Sequence, residues 1–553
     1  MESHHATVFE AVADAIPDAP ALAQGERVLT WQEMDSRAAR LAAALTSAGL
    51  TTQSTVAIDL YNCNEWMESY FATLKARLVP VGINYRYLDD ELVYLFENCD
   101  AEAVIFHASL GERVVRVARR LPKIKALIQV DDVGGAETPP GVLDYEQIAT
   151  THDPAPRIAR SPDDIVMWYS GGTTGLPKGV VIPIGRSVEF STSREGRVRT
   201  LGLYGSDPES LPEDLIEGAR LLWEEGGRPV AIPAAPLMHS TAMSYAGAAI
   251  FHCGGMVVTL PSHSFDAHHL FEAVDRHRVT TIAIVGDAFA KPMTRALEER
   301  AAAGQPYDGS SIRTIYSAGV VWSADVKDRL FRHLPGVLLV DNCGSSEGAW
   351  YGTSVLRKGD ATSSTSFVPA PGVLVLDESG NHMPPGTGKA GLLASTTTMA
   401  GYHKDPEKTA ETFRFIDDVW YTVPGDYGIF NDDGTVTLLG RGTSVINTGG
   451  EKVYPEEVDD VIKTIDDVDD CLVVGTPDER FGQAVTAVVQ LRRGASLGEP
   501  EVVDWVRARL AHYKAPRRVL FVDKVPRLPN GKPDYPATRQ LAEEAVVTGG
   551  TTL

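Results

Sequence analysis

The sequence predicts an α/β protein with a large layered N-terminal domain and a small α+β C-terminal domain joined by a hinge. Short apolar runs alternate with amphipathic helices from early in the chain, and this texture changes near residue 440. The length of 553 residues also exceeds the size at which one hydrophobic core keeps growing. We therefore assign residues 1–440 to the large domain and residues 441–553 to the small one.

Repeated strand–helix units predict the layered body of the large domain. The run TVAIDL at 55–60 predicts a strand, and a helix is predicted next in NEWMESYFATLKARL, whose large apolar side chains share one stripe. The pattern returns in VPVGINY, DDELVYLFENC, AEAVIFHA and GERVVRVARRL, and again in HHLFEAVDRHRV and TTIAIVG. We interpret the four arginines of GERVVRVARRL as a solvated face without a binding role.

The small domain is predicted from a second alternation. A Gly/Ser/Thr-rich segment, RGTSVINTGGEKVY, leads into a helix that begins at Pro455. The rest predicts the helix PEEVDDVIKTI, the strands CLVVGTP and AVTAVVQL, the helix EPEVVDWVRARL and the strand RRVLFVD, followed by the loop PRLPNGKPDY. These helices and strands are enough to form a compact domain of ordinary size.

Composition excludes several classes of function. The net charge of −23 opposes broad contact with nucleic acid or an anionic membrane. The five cysteines show neither metal-site spacing nor a disulfide framework, which fits a reducing cytoplasm. The first residues lack the basic and apolar regions of a signal peptide, so we expect a cytoplasmic protein.

One uncharged stretch requires a test for a membrane span. Residues 229–265 contain no Asp, Glu, Lys or Arg. Histidines, glycines and a proline interrupt the stretch, and its pattern predicts a loop, a helix near 243–252 and a strand near 256–260. We therefore interpret it as buried core and expect no transmembrane segment.

The loop YSGGTTGLPKGV has the composition of a phosphate-binding loop. Its glycines allow backbone N–H groups to converge on one phosphate, while its hydroxyls and its lysine add donors and a positive charge. We expect it to bind ATP through Ser170, Gly171, Gly172, Thr173, Thr174, Gly175 and Lys178. An ordinary Gly/Thr surface turn is the alternative. The Walker A pattern is excluded because Leu176 and Pro177 separate the last loop glycine from the lysine.

Six segments in order carry a resemblance to a known family. They are YSGGTTGLPKGV, PLMHSTA, CGSSEG, PGDYG, LLGRGTSVINTGGEKVYPEEV and PNGKPDY. Together they resemble the acyl-CoA synthetases of the adenylate-forming superfamily, over nearly the whole chain. The hinge segment, IVGDAFAKPM and the polar insertion at 194–229 are similar to the branch that acts on fatty acids and steroid side-chain acids. The insertion is expected on the surface, at a substrate entrance.

The resemblance implies an AMP-forming acid–thiol ligase that works in two steps. A carboxylic acid attacks the α-phosphate of ATP to form an acyl-adenylate, and coenzyme A then displaces AMP. Lys532 matches the catalytic lysine of the family, and His239 matches the histidine that forms the acyl pocket and gates the second step. Glu347 matches the magnesium-binding acid, with Thr173 as its hydroxyl partner.

The same resemblance implies the remaining contacts. Asp426 would accept hydrogen bonds from the ribose hydroxyls, and Arg441 would hold the ribose-phosphate side of ATP. The adenine would lie along Ser317, Ala318 and Gly319, and the other predicted ATP contacts are Gly344, Ser345 and Ser346. Gly449, Gly450 and Glu451 match the part of the small domain that lines the coenzyme A tunnel after a swing about the hinge.

Some positions depart from the family pattern. Thr443 and Asn447 replace common charged residues, and Cys343 replaces an aromatic residue that stacks on adenine, which leaves those ATP contacts open. Two other functions also stay open: an acyl-adenylate ligase that loads a carrier protein, and an inactive nucleotide-binding homologue. The sequence does not decide between a monomer and a homodimer, and it does not identify the acid or any peripheral membrane contact.

Overall fold

The structure of the chain is a computed structural model. It describes residues 2–170, 177–203, 211–320, 322–361, 365–397, 399–441, 445–448, 451–478, 482–510, 512–528 and 531–548.

The strands are β1 (Pro20–Gln24), β2 (Arg27–Thr30), β3 (Thr55–Asp59), β4 (Val79–Gly82), β5 (Ala101–His107), β6 (Ala126–Val130), β7 (Leu143–Asp144), β8 (Ile165–Ser170), β9 (Lys178–Pro183), β10 (Val230–Pro233), β11 (Met256–Thr259), β12 (Thr281–Ile284), β13 (Thr314–Ala318), β14 (Leu338–Gly344), β15 (Trp350–Leu356), β16 (Ser366–Pro369), β17 (Leu374–Leu376), β18 (Gly391–Thr396), β19 (Gly401–Tyr402), β20 (Phe413–Ile416), β21 (Val419–Thr422), β22 (Asp426–Phe430), β23 (Val436–Arg441), β24 (Ile446–Thr448), β25 (Glu451–Val453), β26 (Val468–Asp478), β27 (Gly482–Leu491) and β28 (Arg518–Val522).

The α-helices are α1 (His5–Ala15), α2 (Trp31–Ser47), α3 (Asn64–Lys75), α4 (Asp89–Asn98), α5 (Gly111–Ala118), α6 (Tyr145–Thr151), α7 (Ile184–Thr192), α8 (Arg194–Thr200), α9 (Leu215–Glu224), α10 (Ser240–Ala246), α11 (Ala248–Phe251), α12 (Ala267–His277), α13 (Gly286–Ala302), α14 (Ala324–His333), α15 (Pro406–Thr412), α16 (Pro455–Lys463), α17 (Glu499–Arg507) and α18 (Tyr535–Thr548).

Two sheets build the large N-terminal part. The first contains a parallel section in the order β1–β11–β10–β12–β13–β14, and it continues into antiparallel strands from β15 onward. The second has the order β19–β9–β8–β4–β3–β5–β6–β7, parallel from β8 to β7. Helices α1, α2, α3 and α10 share one hydrophobic core with both sheets, so this part is layered as predicted.

A third, smaller sheet forms the C-terminal part. Its order is β25–β24–β27–β26, with β28 parallel to β27. Helices α16 and α17 pack on one face through Val458, Ile462, Val502 and Val506. The α/β fold class with a large and a small part is therefore confirmed. The boundary between residues 440 and 441 stays a prediction.

Most predicted elements occur where their patterns place them. The TVAIDL strand is β3, and the helix after it is α3, whose Trp66, Phe71 and Leu74 are buried. The uncharged stretch forms β10, the helices α10 and α11, and β11, which confirms its interpretation as buried core. No helix in the described part of the chain has the length and apolar character that a membrane crossing requires.

Candidate active site

A cavity of about 1040 Å³ lies between the N-terminal part and the C-terminal part. It collects predicted site residues from distant positions in the chain. Those that line it are His239, Ala318, Gly319, Gly344, Ser345, Ser346, Glu347, Asp426 and Lys532. Segments far apart in sequence therefore converge on one cavity.

Lys532 reaches this cavity from a loop that precedes α18. A Cβ atom placed on Gly319 would lie 4.0 Å from Lys532 Cε, so the lysine passes close to the end of β13. Arg527 fixes the loop, because it donates two hydrogen bonds of 2.6 and 2.7 Å to Asp470 and a third, of 3.2 Å, to the carbonyl of Gly531. Contacts within the C-terminal part thus hold the loop of Lys532, the predicted catalytic residue, at the cavity.

His239 stands at the start of α10 and is partly buried. Burial, with the positive charges of Lys532 and Arg86, lowers the pKa of His239 to about 4. Its Nε2 atom is buried without a hydrogen-bond partner among the described residues. The imidazole of His239 is therefore neutral at neutral pH, and it lies in the same cavity as Lys532.

Glu347 lies in the tight loop between β14 and β15 and is 5% exposed. Its carboxylate is oriented by two hydroxyls: Tyr402 donates to Oε1 at 3.0 Å and Ser346 donates to Oε2 at 3.2 Å. Among the described residues, no group of three or more His, Cys, Asp or Glu side chains is placed to hold a metal ion. One oriented carboxylate fits Mg²⁺, which takes few protein ligands and completes its shell with phosphate oxygens and water.

Asp426 and Arg441 face each other on neighbouring strands. Their Cα atoms are direct partners in the antiparallel pairing of β22 with β23. Tyr351 donates a 2.8 Å hydrogen bond to Asp426 Oδ2, which holds this carboxylate in the wall of the cavity. The two residues predicted to bind the ribose side of ATP therefore lie side by side.

The predicted phosphate loop connects two antiparallel strands. Ser170 at the end of β8 pairs with Lys178 at the start of β9. Gly171, Gly172, Thr173, Thr174 and Gly175 lie outside the described residues. Lys178 forms an ion pair with Asp405, and its Nζ lies 6.0 Å from the centre of the Tyr402 ring. Its positive charge is thus held beside the residue that orients Glu347.

The predicted adenine segment is the end of β13. Ala318 and Gly319 line the cavity, whereas Ser317 is fully buried and its hydroxyl accepts a 2.9 Å hydrogen bond from the Gly286 N–H. Ser317 therefore fixes the start of α13. Cys343 is buried in β14 at the position where the family pattern has an aromatic ring.

The residues predicted to bind coenzyme A belong to a hairpin of the third sheet. Glu451 begins β25, which pairs with β24, while Gly449 and Gly450 lie outside the described residues. Asn447 is the central residue of β24, and Thr443 lies outside the described part of the chain. In this hairpin β25 is an outer strand of the third sheet, whereas Lys532 lies in the loop between β28 and α18.

Sequence reasoning missed three residues that position the site. Tyr351, Tyr402 and Asp405 hold Asp426, Glu347 and Lys178 respectively. Both tyrosines lie in strands, where an aromatic residue is indistinguishable from core by pattern. The only signal for Asp405 is the polar run HKDPEK, which follows Tyr402.

A largely apolar wall extends from the site along α10 and α11. It includes Tyr70, Val166, Trp168, Ile182, Met243 and Ala249. The insertion at 194–229 contributes α8 to this wall, where the Arg199 guanidinium lies 5.1 Å from the Tyr245 ring and 4.9 Å from the Trp350 ring. The insertion was expected on the surface, yet Arg197 and Ala219 are only 3% and 1% exposed.

Comparisons with known proteins identify the family and the fold of the chain. The family profile described as AMP-binding enzyme matches residues 9–403, and the profile described as AMP-binding enzyme C-terminal domain matches residues 457–532. The crystal structure of ATP-bound MatB from Rhodopseudomonas palustris has the same fold, with a TM-score of 0.79, 24% identity, and coverage of 98% of this chain and 99% of that chain.

Two curated relatives match over almost their full lengths. The 3-oxocholest-4-en-26-oate–CoA ligase of Rhodococcus rhodochrous is 38% identical, over 97% of this chain and 95% of its own. The medium/long-chain-fatty-acid–CoA/3-oxocholest-4-en-26-oate–CoA ligase of Mycolicibacterium smegmatis is 36% identical, over 98% and 97%. The prediction from the six motifs is thereby confirmed, and the chain belongs to the AMP-binding enzyme family, alongside acid–CoA ligases.

Proposed function

We propose that this protein is an ATP-dependent acid–CoA ligase that forms an acyl-adenylate and then an acyl-CoA. The observation that carries the proposal is the entry of Lys532 into the cavity that also contains His239, Glu347 and Asp426. Each of these residues comes from a different motif, and the activity requires all of them at one place.

In the first step, a carboxylate oxygen forms a bond to the α-phosphorus of ATP, and pyrophosphate leaves with the electrons of the broken P–O bond. Both reactants are anions, so a cation between them lowers their repulsion and fixes the line of approach. Lys532 supplies that charge beside Gly319. Bound at Glu347, with Thr173, Mg²⁺ would neutralise charge on the phosphates.

The nucleotide would be held on both sides of its ribose. Asp426 accepts from the ribose hydroxyls and Arg441 holds the adjacent phosphate, while Ala318 and Gly319 leave room for the flat base. We assign Ser170–Gly175 and Lys178 to the departing pyrophosphate, together with Gly344, Ser345 and Ser346 around the phosphates. Ser317 acts through the backbone of Gly286.

In the second step, the thiol sulfur of coenzyme A forms a bond to the acyl carbon, the thiol proton passes to water, and AMP leaves with the electrons of the broken C–O bond. We propose that residues 441–553 swing about the boundary at 440–441, which withdraws Lys532 and brings Gly449, Gly450 and Glu451 to the tunnel. Neutral His239 would line the passage through which the thiol approaches the acyl group.

The substrate we propose is a fatty or bulky acid, including acids with a steroid body. The relatives in Rhodococcus and Mycolicibacterium carry names that specify such acids. The cavity has the volume for nucleotide and acid together, and its wall along α10 is mainly apolar.

Location and assembly complete the proposal. We propose a cytoplasmic enzyme, because all five cysteines are free and buried, as suits a reducing compartment. We also propose a homodimer, which analytical ultracentrifugation tests directly.

The test is an assay of AMP and thioester formation from ATP, coenzyme A and a panel of fatty and steroid acids. The ligase forms both products, and K532A abolishes adenylation while it still converts a supplied acyl-adenylate to thioester. Accumulation of acyl-adenylate without thioester would support a carrier-loading ligase instead. Unchanged adenylation in K532A would contradict the mechanism.

A further inference from the structure

A row of three hydrogen-bonded side chains lies in the cavity wall, apart from the residues assigned to chemistry. The Ser187 hydroxyl oxygen is 3.3 Å from His5 Nε2, and His5 Nδ1 is 3.1 Å from His252 Nε2. The two imidazole rings are stacked, with their centres 5.1 Å apart. His5 is 6% exposed and His252 is 1% exposed. All three residues line the same cavity as Lys532.

This row lies at the far end of the cavity from the reacting groups. The cavity follows α10 and α11, with His239 before the first helix and His252 directly after the second. Thirteen residues of straight helix would separate these two histidines by about 20 Å. The bend at Gly247 shortens that distance, yet the two histidines remain at opposite ends of the helical pair. An acid bound with its carboxylate at Lys532 would therefore point its other end at the row.

The row is uncharged at neutral pH. Burial lowers the pKa of His5 to about 4 and holds the pKa of His252 well below its usual range. No charged side chain forms a hydrogen bond with the three residues within the described part of the chain. A neutral polar group on the ligand suits direct contact with this row, because a charged group there would lose its water without gaining a charged hydrogen-bond partner in the row.

The hydrogen-bond pattern favours one direction of proton donation along the row. His252 Nδ1 is buried without a partner among the described residues. A buried N–H without an acceptor is rarer than a buried lone pair without a donor, so the proton of His252 belongs on Nε2, from which it is donated to His5. His5 then carries its proton on Nε2 and donates it to the Ser187 oxygen. The Ser187 O–H is left to donate into the cavity.

We propose that Ser187, oriented by His5 and His252, donates a hydrogen bond to a ketone oxygen at the end of the acid remote from its carboxylate. The inference rests on the proposed ligase function and names its substrate class: long, mainly apolar acids with a terminal ketone, such as a ring ketone on a steroid side-chain acid. A ketone can only accept a hydrogen bond, and the free end of the row is a donor.

The test compares two acids that differ at one position. The first is 3-oxocholest-4-en-26-oate, and the second is the same acid with a CH₂ group in place of the ketone. In S187A, kcat/KM for the keto acid should fall about fivefold to tenfold, while kcat/KM for the deoxy acid changes less than about twofold. A purely structural role of Ser187 would lower both values equally, and that result would overturn the proposal.

Ser191 provides a matched control on the same helix. It lines the same cavity one turn later, but its hydroxyl already donates to the backbone carbonyls of Ser187 and Val188 at 2.9 and 3.2 Å. S191A should therefore change both acids by the same factor.

The wild-type enzyme separates this proposal from the ligase proposal. If it activates a long-chain fatty acid but neither steroid acid, the ketone subsite is overturned and the ligase function stands. If it activates no acid at all, the ligase function fails. Equal wild-type kcat/KM for the keto and deoxy acids would also overturn the subsite.

Discussion

The Tyr402 hydroxyl donates a 3.0 Å hydrogen bond to Glu347 Oε1, across 55 residues of sequence. The tyrosine ring also packs edge-on against Phe413 and lies 6.0 Å from Lys178 Nζ. A ring fixed on two sides holds the proposed magnesium carboxylate in one orientation. The protein thus orients Glu347 through a side chain of β19, a strand distant from it in sequence.

Y402F should weaken magnesium binding without disturbing the fold. The phenylalanine keeps the ring contacts and removes only the hydrogen bond, so the Mg²⁺ concentration for half-maximal adenylation should rise about tenfold. Titration of Mg²⁺ at saturating ATP measures this directly. An unchanged magnesium dependence would show that Glu347 is oriented by other contacts or is not the metal ligand.

Y351F is the matched comparison, because Tyr351 plays the same part for Asp426 through a 2.8 Å hydrogen bond. Here the KM for ATP should rise about threefold to tenfold, while the magnesium dependence stays that of the wild type. An effect on magnesium equal to that of Y402F would contradict separate roles for the two carboxylates.

G531A should displace the loop that carries Lys532. Gly531 has a φ of +81°, and a Cβ atom there would lie 2.3 Å from Ala288 Cβ in α13. The positive φ and the close contact with Ala288 both disfavour alanine at this position. Adenylation should fall about tenfold to hundredfold, because the loop that carries Lys532 can no longer pack against α13. Formation of thioester from a supplied acyl-adenylate should be much less affected.

A second substitution separates the two causes. A288G removes the opposing Cβ atom, so the double variant A288G/G531A should recover adenylation in part, with the remaining loss due to the positive φ. No recovery would mean that contact with α13 does not govern the position of the loop.

The elements and the motifs were predictable because each depends on local pattern. The strand β3, the helix α3 and the loop before β9 follow from apolar runs, a stripe and a glycine cluster. The final helix α18 was missed, although its alanine-rich run is typical of a helix. The hairpin of β24 and β25 was missed because only one turn signal, NTGG, marks it.

The contacts between distant residues could not be predicted from pattern. Lys532 approaches Gly319 from 213 positions away, and His5 meets His252 from 247 positions away. Such pairs depend on how sheets and helices stack, which no local periodicity encodes. The family resemblance identified Lys532, Glu347 and Ser346 by motif, but Arg527 and Tyr402, which also hold the lysine loop and the carboxylate, lie outside the six motifs.

K291M should loosen the C-terminal part from the N-terminal part. Lys291 in α13 donates to the backbone carbonyl of Asp469 and lies 3.7 Å from its carboxylate. A partly exposed ion pair contributes little, so adenylation should fall about twofold to fivefold, more at low salt than at high salt. The comparison is R492M, which removes the more exposed ion pair with Asp325 and should have a smaller effect. An equal loss at all salt concentrations would contradict an electrostatic contact.

D59N should make thermal stability less dependent on pH. Asp59 ends β3, is fully buried, and neither carboxylate oxygen has a hydrogen-bond partner among the described residues. Burial raises its pKa to about 7, against the opposing charge of Arg113. A raised carboxyl pKa favours the folded state at low pH, and this contribution is lost as the pH rises toward 7. The wild type therefore loses stability between pH 5 and pH 8 that D59N keeps.

The measurement is the Tm of both proteins at pH 5 and pH 8. Between pH 5 and the Asp59 pKa of about 7, the wild type loses about 2–3 kcal/mol of folding stability. Because a chain of this length unfolds with a large entropy, this loss should make the Tm advantage of D59N about 2 °C larger at pH 8 than at pH 5. Asp163 is exposed, so D163N should show no such widening. If D59N and the wild type differ by the same amount at both pH values, Asp59 does not titrate in this range, and the carboxylate must be solvated or paired in the folded protein.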